Sequence, residues 1–343
     1  MKKQIYKDKF YTHLDRKKYH TDYQQRVQNI NWVSRHGFYP FIHFQMDCSK
    51  YTNDSEGNKY IKEKNRDIYY AAHIDRFIYE YYGNRLNDKY NNYMKTKGIN
   101  RVSTAYRNCT PGKCNIDFAK EVFEYIVRCE TAYIFVGDFS KFFDNLDHGY
   151  LKGKIKCVNE QQSLDSADYA IYKNITKFAY VEADDIESEK GLFRRDMREL
   201  DKYFETDEFH EFKKKHLHKN CKDYQIPQGS SISAVYANIY MIDFDKKIND
   251  FITSRKGIYR RYCDDIIIVV PMTYSELQNK KNEKITKFIY DVRDSIPNLE
   301  LNEDKTEHFF YDNGAIKKLK GHSSLVNYLG FTFDGKIVRI RDK

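Results

Sequence analysis

Several features that would assign a protein to a class at once are missing or rare in this sequence. No apolar run approaches the ~20 residues of a membrane-spanning helix, and only 5 prolines occur among 343 residues. No apolar stretch follows the N-terminal lysines, so we expect no secretory signal and no membrane partner. Repeats and long linkers are also absent. We therefore expect a cytoplasmic protein with one elaborated domain or two closely packed ones.

The 7 cysteines follow no disulfide framework. Cys109 and Cys114 lie close together in the sequence, but no second Cys/His pair accompanies them at the spacing of a zinc site. We expect all of them to be reduced thiols, which fits a reducing cytoplasm.

Charged and aromatic side chains, by contrast, are abundant. Lysine and arginine give a net charge of +9 and are spread along the chain, together with 31 Tyr and 23 Phe. A basic balance favours a polyanionic partner, and aromatics interleaved with basic residues suit stacking on single-stranded nucleic acid. Because a biased genome composition would give similar counts, composition alone leaves the partner open.

Carboxylates fall at the ends of predicted strands. The apolar, β-prone run Ala132–Val136 leads to Asp138. Two further strand-like runs, 258–262 and 266–270, flank the pair Asp264–Asp265, which is therefore expected at the tip of a tight hairpin. Nucleotidyl transfer needs two divalent cations ~3.5–4 Å apart, held by converging carboxylates. The pattern predicts such a two-metal site.

The order of predicted elements defines an α+β fold. Strand, helix-rich insertion, helix, hairpin, helix and strands follow one another, as in a ferredoxin-like βαββαβ core with an insertion at about 152–225. The remaining elements come from periodicity and turn signals: helices over 67–82 and after Ser230, a helix from the Thr273–Glu276 capping pattern to Pro297, strands at 299–301, 308–311 and 328–333, and a turn at 312–314.

Five segments resemble the palm motifs of bacterial reverse transcriptases and occur in that family's order. They are Gly137–His148, Ile226–Ser233, the YxDD box Tyr262–Asp265, Leu301–Thr306 and Asn327–Phe331. The resemblance is to the group II intron and retron-like superfamily. Two more segments, Pro40–Phe44 and Tyr106–Ile116, are most similar to the defence-associated "unknown group" lineages.

This resemblance implies a right-hand polymerase with a fingers–palm arrangement. Residues 1–130 would form an N-terminal extension and fingers, and residues 131–343 the palm, with a helix-rich fingers insertion at about 152–225. The helical thumb of the family is expected to be missing or not covered. The implied function is an RNA-directed DNA polymerase that copies a dedicated noncoding RNA template from dNTPs into nascent DNA in antiphage defence. A second protein subunit or a homo-oligomer stays open.

The resemblance also assigns the metal ligands. Asp138 and Asp264 would bridge two Mg²⁺ ions, for which Mn²⁺ could substitute, and Asp265 would assist. The carbonyl of Phe139 would complete one coordination shell.

Five further residues take nucleotide-binding roles by the same resemblance. Phe143 would be the steric gate beneath the sugar, and Gln228 would lie against the incoming nucleotide. Arg107 and Lys113 would hold its triphosphate, and Lys305 would meet the pyrophosphate charge. The simpler alternatives are a core aromatic for Phe143, solvated loop charges for Arg107 and Lys113, and a surface ion pair for Lys305.

Three other classes share parts of this pattern. An RNA-dependent RNA polymerase would carry Gly-Asp-Asp at the hairpin and a small or polar gate, so Tyr262 and Phe143 disfavour it. Nucleotide cyclases lack the Pro-Gln-Gly loop and the lysine motif. A catalytically idle palm that binds RNA or joins a complex stays open, although all three aspartates are present.

Overall fold

A computed structural model describes residues 8–53 and 59–341 of the chain. Its helices are α1 (His20–Gln28), α2 (Ile30–Ser34), α3 (His73–Thr96), α4 (Asn115–Arg128), α5 (His148–Asn159), α6 (Ser166–Thr176), α7 (Ala183–Lys190), α8 (Thr206–His216), α9 (Ser231–Tyr240), α10 (Ile242–Thr253), α11 (Tyr274–Gln278) and α12 (Lys281–Asp294). Its strands are β1 (Phe41–Asn53), β2 (Lys59–Tyr70), β3 (Thr131–Asp138), β4 (Ala179–Glu182), β5 (His218–Lys219), β6 (Ile258–Tyr262), β7 (Asp265–Pro271), β8 (Glu307–Asp312), β9 (Ala315–Lys320), β10 (Val326–Tyr328), β11 (Phe331–Phe333) and β12 (Val338–Ile340). The α+β class expected from the sequence is confirmed.

The chain forms two compact units. The first combines Met1–Leu86 with Ile155–Tyr236, and the second combines Asn87–Lys154 with Ala237–Lys343. Residues 87–130, which the sequence placed with the fingers, thus belong to the second unit. The assignment of fingers and palm to these units stays a prediction. No helix in the described part of the chain has the length and apolar character to span a membrane.

The first unit contains a four-stranded sheet in the order β2-β1-β4-β5. β1 and β2 form a long antiparallel hairpin, and β4 lies parallel to β1. Apolar side chains from the sheet, from the segment that carries α7 and α8 and from the chain before α1 form one core cluster. Its buried members are Leu14, Ile42, Val181, Ala183, Ile186, Met197, Tyr203, Phe204 and Phe212.

The predicted helix over 67–82 is wrong at its start. Residues 67–70 belong to β2, and α3 begins only at His73. The carboxylate of Asp15 accepts hydrogen bonds from the backbone N–H groups of His73 (3.1 Å) and Ile74 (3.2 Å), so it caps this helix. Because the cap comes from 58 residues earlier in the chain, no local signal marks the start of α3.

The second unit is built on a five-stranded antiparallel sheet in the order β6-β7-β3-β8-β9. Four of its strands follow one another along the chain in the order β3, β6, β7 and β8. The segment that ends with α10 connects β3 to β6, and the segment that contains α12 connects β7 to β8. Chain order and sheet order together are those of a ferredoxin-like βαββαβ core, so the predicted fold of this region is confirmed. One face of the sheet packs on α4 and on β10 and β11.

Three local predictions in this unit need adjustment. The helix that starts at Thr273 has its predicted capping box, but it ends at Gln278, and α12 follows a break at Lys280 in a left-handed conformation (φ 57°). Leu301 forms only an isolated bridge to Phe139 rather than a strand. Residues 328–333 contain the turn between β10 and β11. The predicted turn at 312–314 is confirmed between β8 and β9.

Candidate active site

Strand register brings the predicted metal ligands to one edge of the sheet. In the antiparallel pair β3 and β7, Asp138 lies opposite Asp265. Asp264 and Cys263 form the turn that leads into β7, and the N–H of Phe139 donates to the carbonyl of Asp264 (3.1 Å). Most apolar residues of both strands are buried, which fixes their register and therefore the place of these carboxylates.

Negative charge at this edge is poorly compensated. Desolvation and repulsion from Asp138 raise the pKa of Asp264. Desolvation by surrounding atoms and repulsion from Asp264 and Asp138 raise the pKa of Asp265 to about 7, although its side chain reaches the surface. The ammonium of Lys305 opposes both shifts. A bound cation would stabilise the ionised carboxylates in the same way.

The donor chemistry fits Mg²⁺, which prefers carboxylate oxygens. In this structure the carboxylate of Asp138 is ion-paired with the ammonium of Lys305. Within residues 8–53 and 59–341, no three His, Cys, Asp or Glu side chains form a ready metal-binding group. The register that places Asp138 opposite Asp265 and the raised pKa values of Asp264 and Asp265 support the fit, and metal ligation by the three aspartates stays a prediction.

A buried ion pair supports the turn from inside the second unit. Arg261 is fully buried and donates from Nε and Nη2 to the two carboxylate oxygens of Asp245 at 2.8 and 2.6 Å. Its Nη1 also donates to the carbonyl of Cys263 at 2.9 Å. Sequence reasoning missed this pair. The sequence offered one signal, an arginine within a predicted strand, because a charge that is buried with its strand needs a partner of opposite charge.

Two adjacent phenylalanines follow β3 in a 3₁₀ turn, Phe142–Asp144. Phe142 is buried, and its ring stacks on Phe139 with centroids 6.0 Å apart. Phe143 is half-buried and meets Phe142 edge-on, with centroids 5.8 Å apart. The core position thus belongs to Phe142. This leaves the Phe143 ring partly accessible, as a gate residue needs to be, and the gate role stays a prediction.

Gln228 lies in the first unit, whereas the other predicted site residues lie in the second. Its carbonyl accepts a hydrogen bond from the N–H of Tyr69 (2.8 Å). The next residue, Gly229, has φ 132°, and a Cβ there would lie 2.4 Å from the carbonyl oxygen of Tyr69. Because only glycine leaves room for the carbonyl of Tyr69 at this position, the structure explains the glycine of the Pro-Gln-Gly loop.

Arg107 and Lys113 have different surroundings. The guanidinium of Arg107 is buried and donates to Asn91 Oδ1 (2.7 Å), to Asn100 and to the carbonyl of Ser103 (3.2 Å). It is therefore not the solvated loop charge that the simpler alternative proposed. Lys113 is exposed. The geometry of Arg107 favours a role in holding its own segment, and its triphosphate contact stays a prediction.

Substitution of Arg107 should separate these roles. Arg107→Ala leaves buried acceptors without donors, so we expect the free energy of unfolding to fall by about 1–3 kcal/mol, with KM for dNTP nearly unchanged. Lys113→Ala should change stability by less than about 0.5 kcal/mol and raise KM if Lys113 binds the triphosphate. Urea denaturation and steady-state kinetics measure both, with the exposed Arg101→Ala as control. A stable Arg107→Ala protein with a raised KM would contradict the structural role.

A ferredoxin-like sheet with one carboxylate at the end of β3 and two at the adjacent hairpin is an arrangement typical of the palm of nucleic-acid polymerases. The chain belongs to the reverse transcriptase (RNA-dependent DNA polymerase) family, whose profile matches residues 81–333. No curated protein matches the sequence.

Solved telomerase structures are similar in fold. Apo telomerase from Candida tropicalis, truncated from the C-terminal domain, aligns with 87% of this chain and 56% of its own, at 13% identity and a TM-score of 0.52. Telomerase from Candida albicans in complex with a TWJ fragment of telomeric RNA aligns with 93% of this chain and 49% of its own, at 12% identity and a TM-score of 0.47. This chain thus spans about half the length of these telomerase chains.

Proposed function

We propose that this protein is an RNA-directed DNA polymerase that extends a DNA strand with dNTPs by two-metal phosphoryl transfer. One observation carries the proposal. In a chain of the reverse transcriptase family, strand register places Asp138 opposite Asp265, with Asp264 in the adjoining turn. The raised pKa values of Asp264 and Asp265 support it, because they indicate carboxylates that lack sufficient countercharge.

The three aspartates would hold the cations, with Asp138 and Asp264 shared by two Mg²⁺ ions and Asp265 assisting. The carbonyl of Phe139 would complete one shell, and Mn²⁺ could replace Mg²⁺. When bound, the cations would clamp the attacking and leaving oxygens of the reaction. Lys305, whose ammonium already lies at this edge, would meet the charge that develops on pyrophosphate.

Three further residues are candidates for selecting the nucleotide. Phe143 presents a partly accessible ring next to β3, which supports its role beneath the sugar. Lys113 offers an exposed ammonium to the triphosphate. Gln228 follows a proline in a loop fixed by the contact of Gly229 with Tyr69, and we assign it to contact with the incoming nucleotide.

We further infer that the template is a dedicated noncoding RNA and that synthesis serves antiphage defence in the cytoplasm. The segments Pro40–Phe44 and Tyr106–Ile116 support this finer assignment, because they are most similar to defence-associated lineages. The net charge of +9 and the many tyrosines support an RNA partner. A partner subunit or self-association would complete the assembly.

Metal-dependent incorporation of dNTPs by the purified protein tests this function. With a heteropolymeric RNA annealed to a DNA primer, we expect extension in Mg²⁺ or Mn²⁺ and none after EDTA. RNA that copurifies with the protein should be sequenced to identify the template. Retention of RNA without any extension would favour the idle palm, and preferential use of rNTPs would favour an RNA polymerase.

A further inference from the structure

The imidazole of His43 links three strands of the sheet in the first unit. From β1, its Nδ1 lies 2.6 Å from Glu182 Oε2 on β4, and its Nε2 lies 3.0 Å from Asp67 Oδ1 on β2. An imidazole with a proton on each nitrogen donates to both ionised carboxylates at once. Because β1 and β4 pair only over residues 41–43 of β1, this side-chain link reinforces a short strand pairing.

The ring of Tyr69 stacks on this imidazole. The two ring centroids are 4.6 Å apart, the ring planes differ by 29°, and both side chains are buried. Phe178 and Tyr180 meet the Tyr69 ring at steep angles, with centroids 5.1 and 5.5 Å away. A positively charged ring against an aromatic face is attractive. His43 therefore forms one wall of the site that holds the Tyr69 side chain.

The backbone of Tyr69 holds the Pro-Gln-Gly loop. Its N–H donates to the carbonyl of Gln228 at 2.8 Å, and its carbonyl oxygen leaves no room for a Cβ at Gly229. Tyr69 lies directly opposite His43 in the register of β1 and β2. Since the Tyr69 N–H is directed to the loop, these two residues form a non-hydrogen-bonded pair, in which opposite side chains approach most closely. Tyr69 thus contacts His43 with its ring and the loop with its backbone.

We propose that His43 is a positioning residue for the Pro-Gln-Gly loop: held between Asp67 and Glu182, its ring fixes Tyr69, and the Tyr69 backbone places Gln228. The effect on nucleotide binding rests on the proposed function, in which Gln228 contacts the incoming nucleotide, whereas the effect on the loop does not. The alternative is that His43 only stabilises the sheet, in which case its loss should affect the whole unit and not the loop in particular.

Two substitutions at His43 separate these alternatives. His43→Ala removes the ring and the link between the strands, whereas His43→Phe restores a ring against Tyr69. The Asp67 and Glu182 side chains are 47% and 36% exposed, so water can solvate them in both variants and no buried charge is left unpaired. His218→Ala is the matched control, because His218 stacks on Tyr180 in the same sheet (centroids 5.2 Å) rather than on Tyr69.

Exchange of the Tyr69 amide measures the loop contact directly and requires no activity. Hydrogen exchange, resolved by fragmentation in the mass spectrometer, compares it with the amide of His73, whose acceptor is Asp15. Relative to His73, we expect the Tyr69 amide to exchange about threefold to tenfold faster in His43→Ala, less fast in His43→Phe, and as in the wild type in His218→Ala. Equal acceleration of both amides, or none, would overturn the proposal.

Kinetics then test the consequence for the nucleotide. His43→Ala should raise KM for dNTP about threefold or more and leave kcat within about twofold, because a binding contact of the nucleotide is weakened rather than the alignment of the aspartates. His43→Phe should recover part of this loss. Faster Tyr69 exchange with an unchanged KM would refute the nucleotide contact of Gln228. A wild type that cannot polymerise would refute the proposed function, while faster Tyr69 exchange would still support the positioning of the loop.

Discussion

Replacement of Asp264 with Asn should lower dNTP incorporation by several orders of magnitude while RNA binding is retained. Asn keeps the volume of the side chain but removes a charge that two cations would share. Because desolvation and repulsion from Asp138 raise the pKa of Asp264, loss of that charge should leave the metal-free protein at least as stable as the wild type. Single-turnover primer extension, RNA gel shift and thermal melting measure the three quantities.

A matched substitution makes this result specific. Asp291→Asn removes an equivalent charge from the exposed face of α12 and should leave extension within about twofold of the wild type. Addition of Mg²⁺ should raise the melting temperature of the wild type and of Asp291→Asn more than that of Asp264→Asn. Extension by Asp264→Asn within tenfold of the wild type would show that the metal ligands have been assigned wrongly.

Truncation of Phe143 should change the choice between deoxyribonucleotides and ribonucleotides. If its ring occupies the space of a ribose 2′-hydroxyl, Phe143→Ala opens that space, and the ratio of kcat/KM for rNTP to dNTP should rise by one or more orders of magnitude. Incorporation of dNTP should fall only modestly, because the aspartates and Gln228 are unchanged. Competition kinetics with paired dNTP and rNTP measure the ratio.

The neighbouring Phe142 provides the control for this experiment. Phe142 is buried against Phe139, so Phe142→Ala should lose about 3–5 kcal/mol of stability and affect both substrates alike. Phe143 is only half-buried, so Phe143→Ala should be less destabilising. If Phe143→Ala lost as much stability as Phe142→Ala with an unchanged substrate ratio, the gate would be excluded and the RNA-polymerase alternative would return.

The sequence predicted the features whose signals are local. An apolar run that ends at Asp138, an Asp pair between two β-prone runs and a turn at 312–314 each depend on neighbouring residues, and the fold follows from their order. The candidate site was therefore predicted together with the fold, because its carboxylates lie at the ends of the predicted strands.

Features set by distant residues could not be predicted. The cap of α3 comes from Asp15, and the carbonyl of Ala105 accepts a hydrogen bond from Asn238, which lies 133 residues away in the chain. The pairing of Arg261 with Asp245 also requires the three-dimensional structure. Spacing alone could not distinguish Phe142 from Phe143, because both are phenylalanines and their side chains leave the 3₁₀ turn in different directions.

The sheet order of the second unit has a consequence for folding during translation. β3 is buried in the middle of the sheet, yet both of its partners, β7 and β8, are encoded after it. At a synthesis rate of about 5–20 residues per second, the stretch from Asp138 to Asp265 takes roughly 6–25 s to emerge. During this time the apolar strand β3 lacks both of the strands with which it pairs, while much of the intervening chain belongs to the other unit. We therefore expect holdase chaperones to bind nascent chains that contain β3 but not yet β7 and β8.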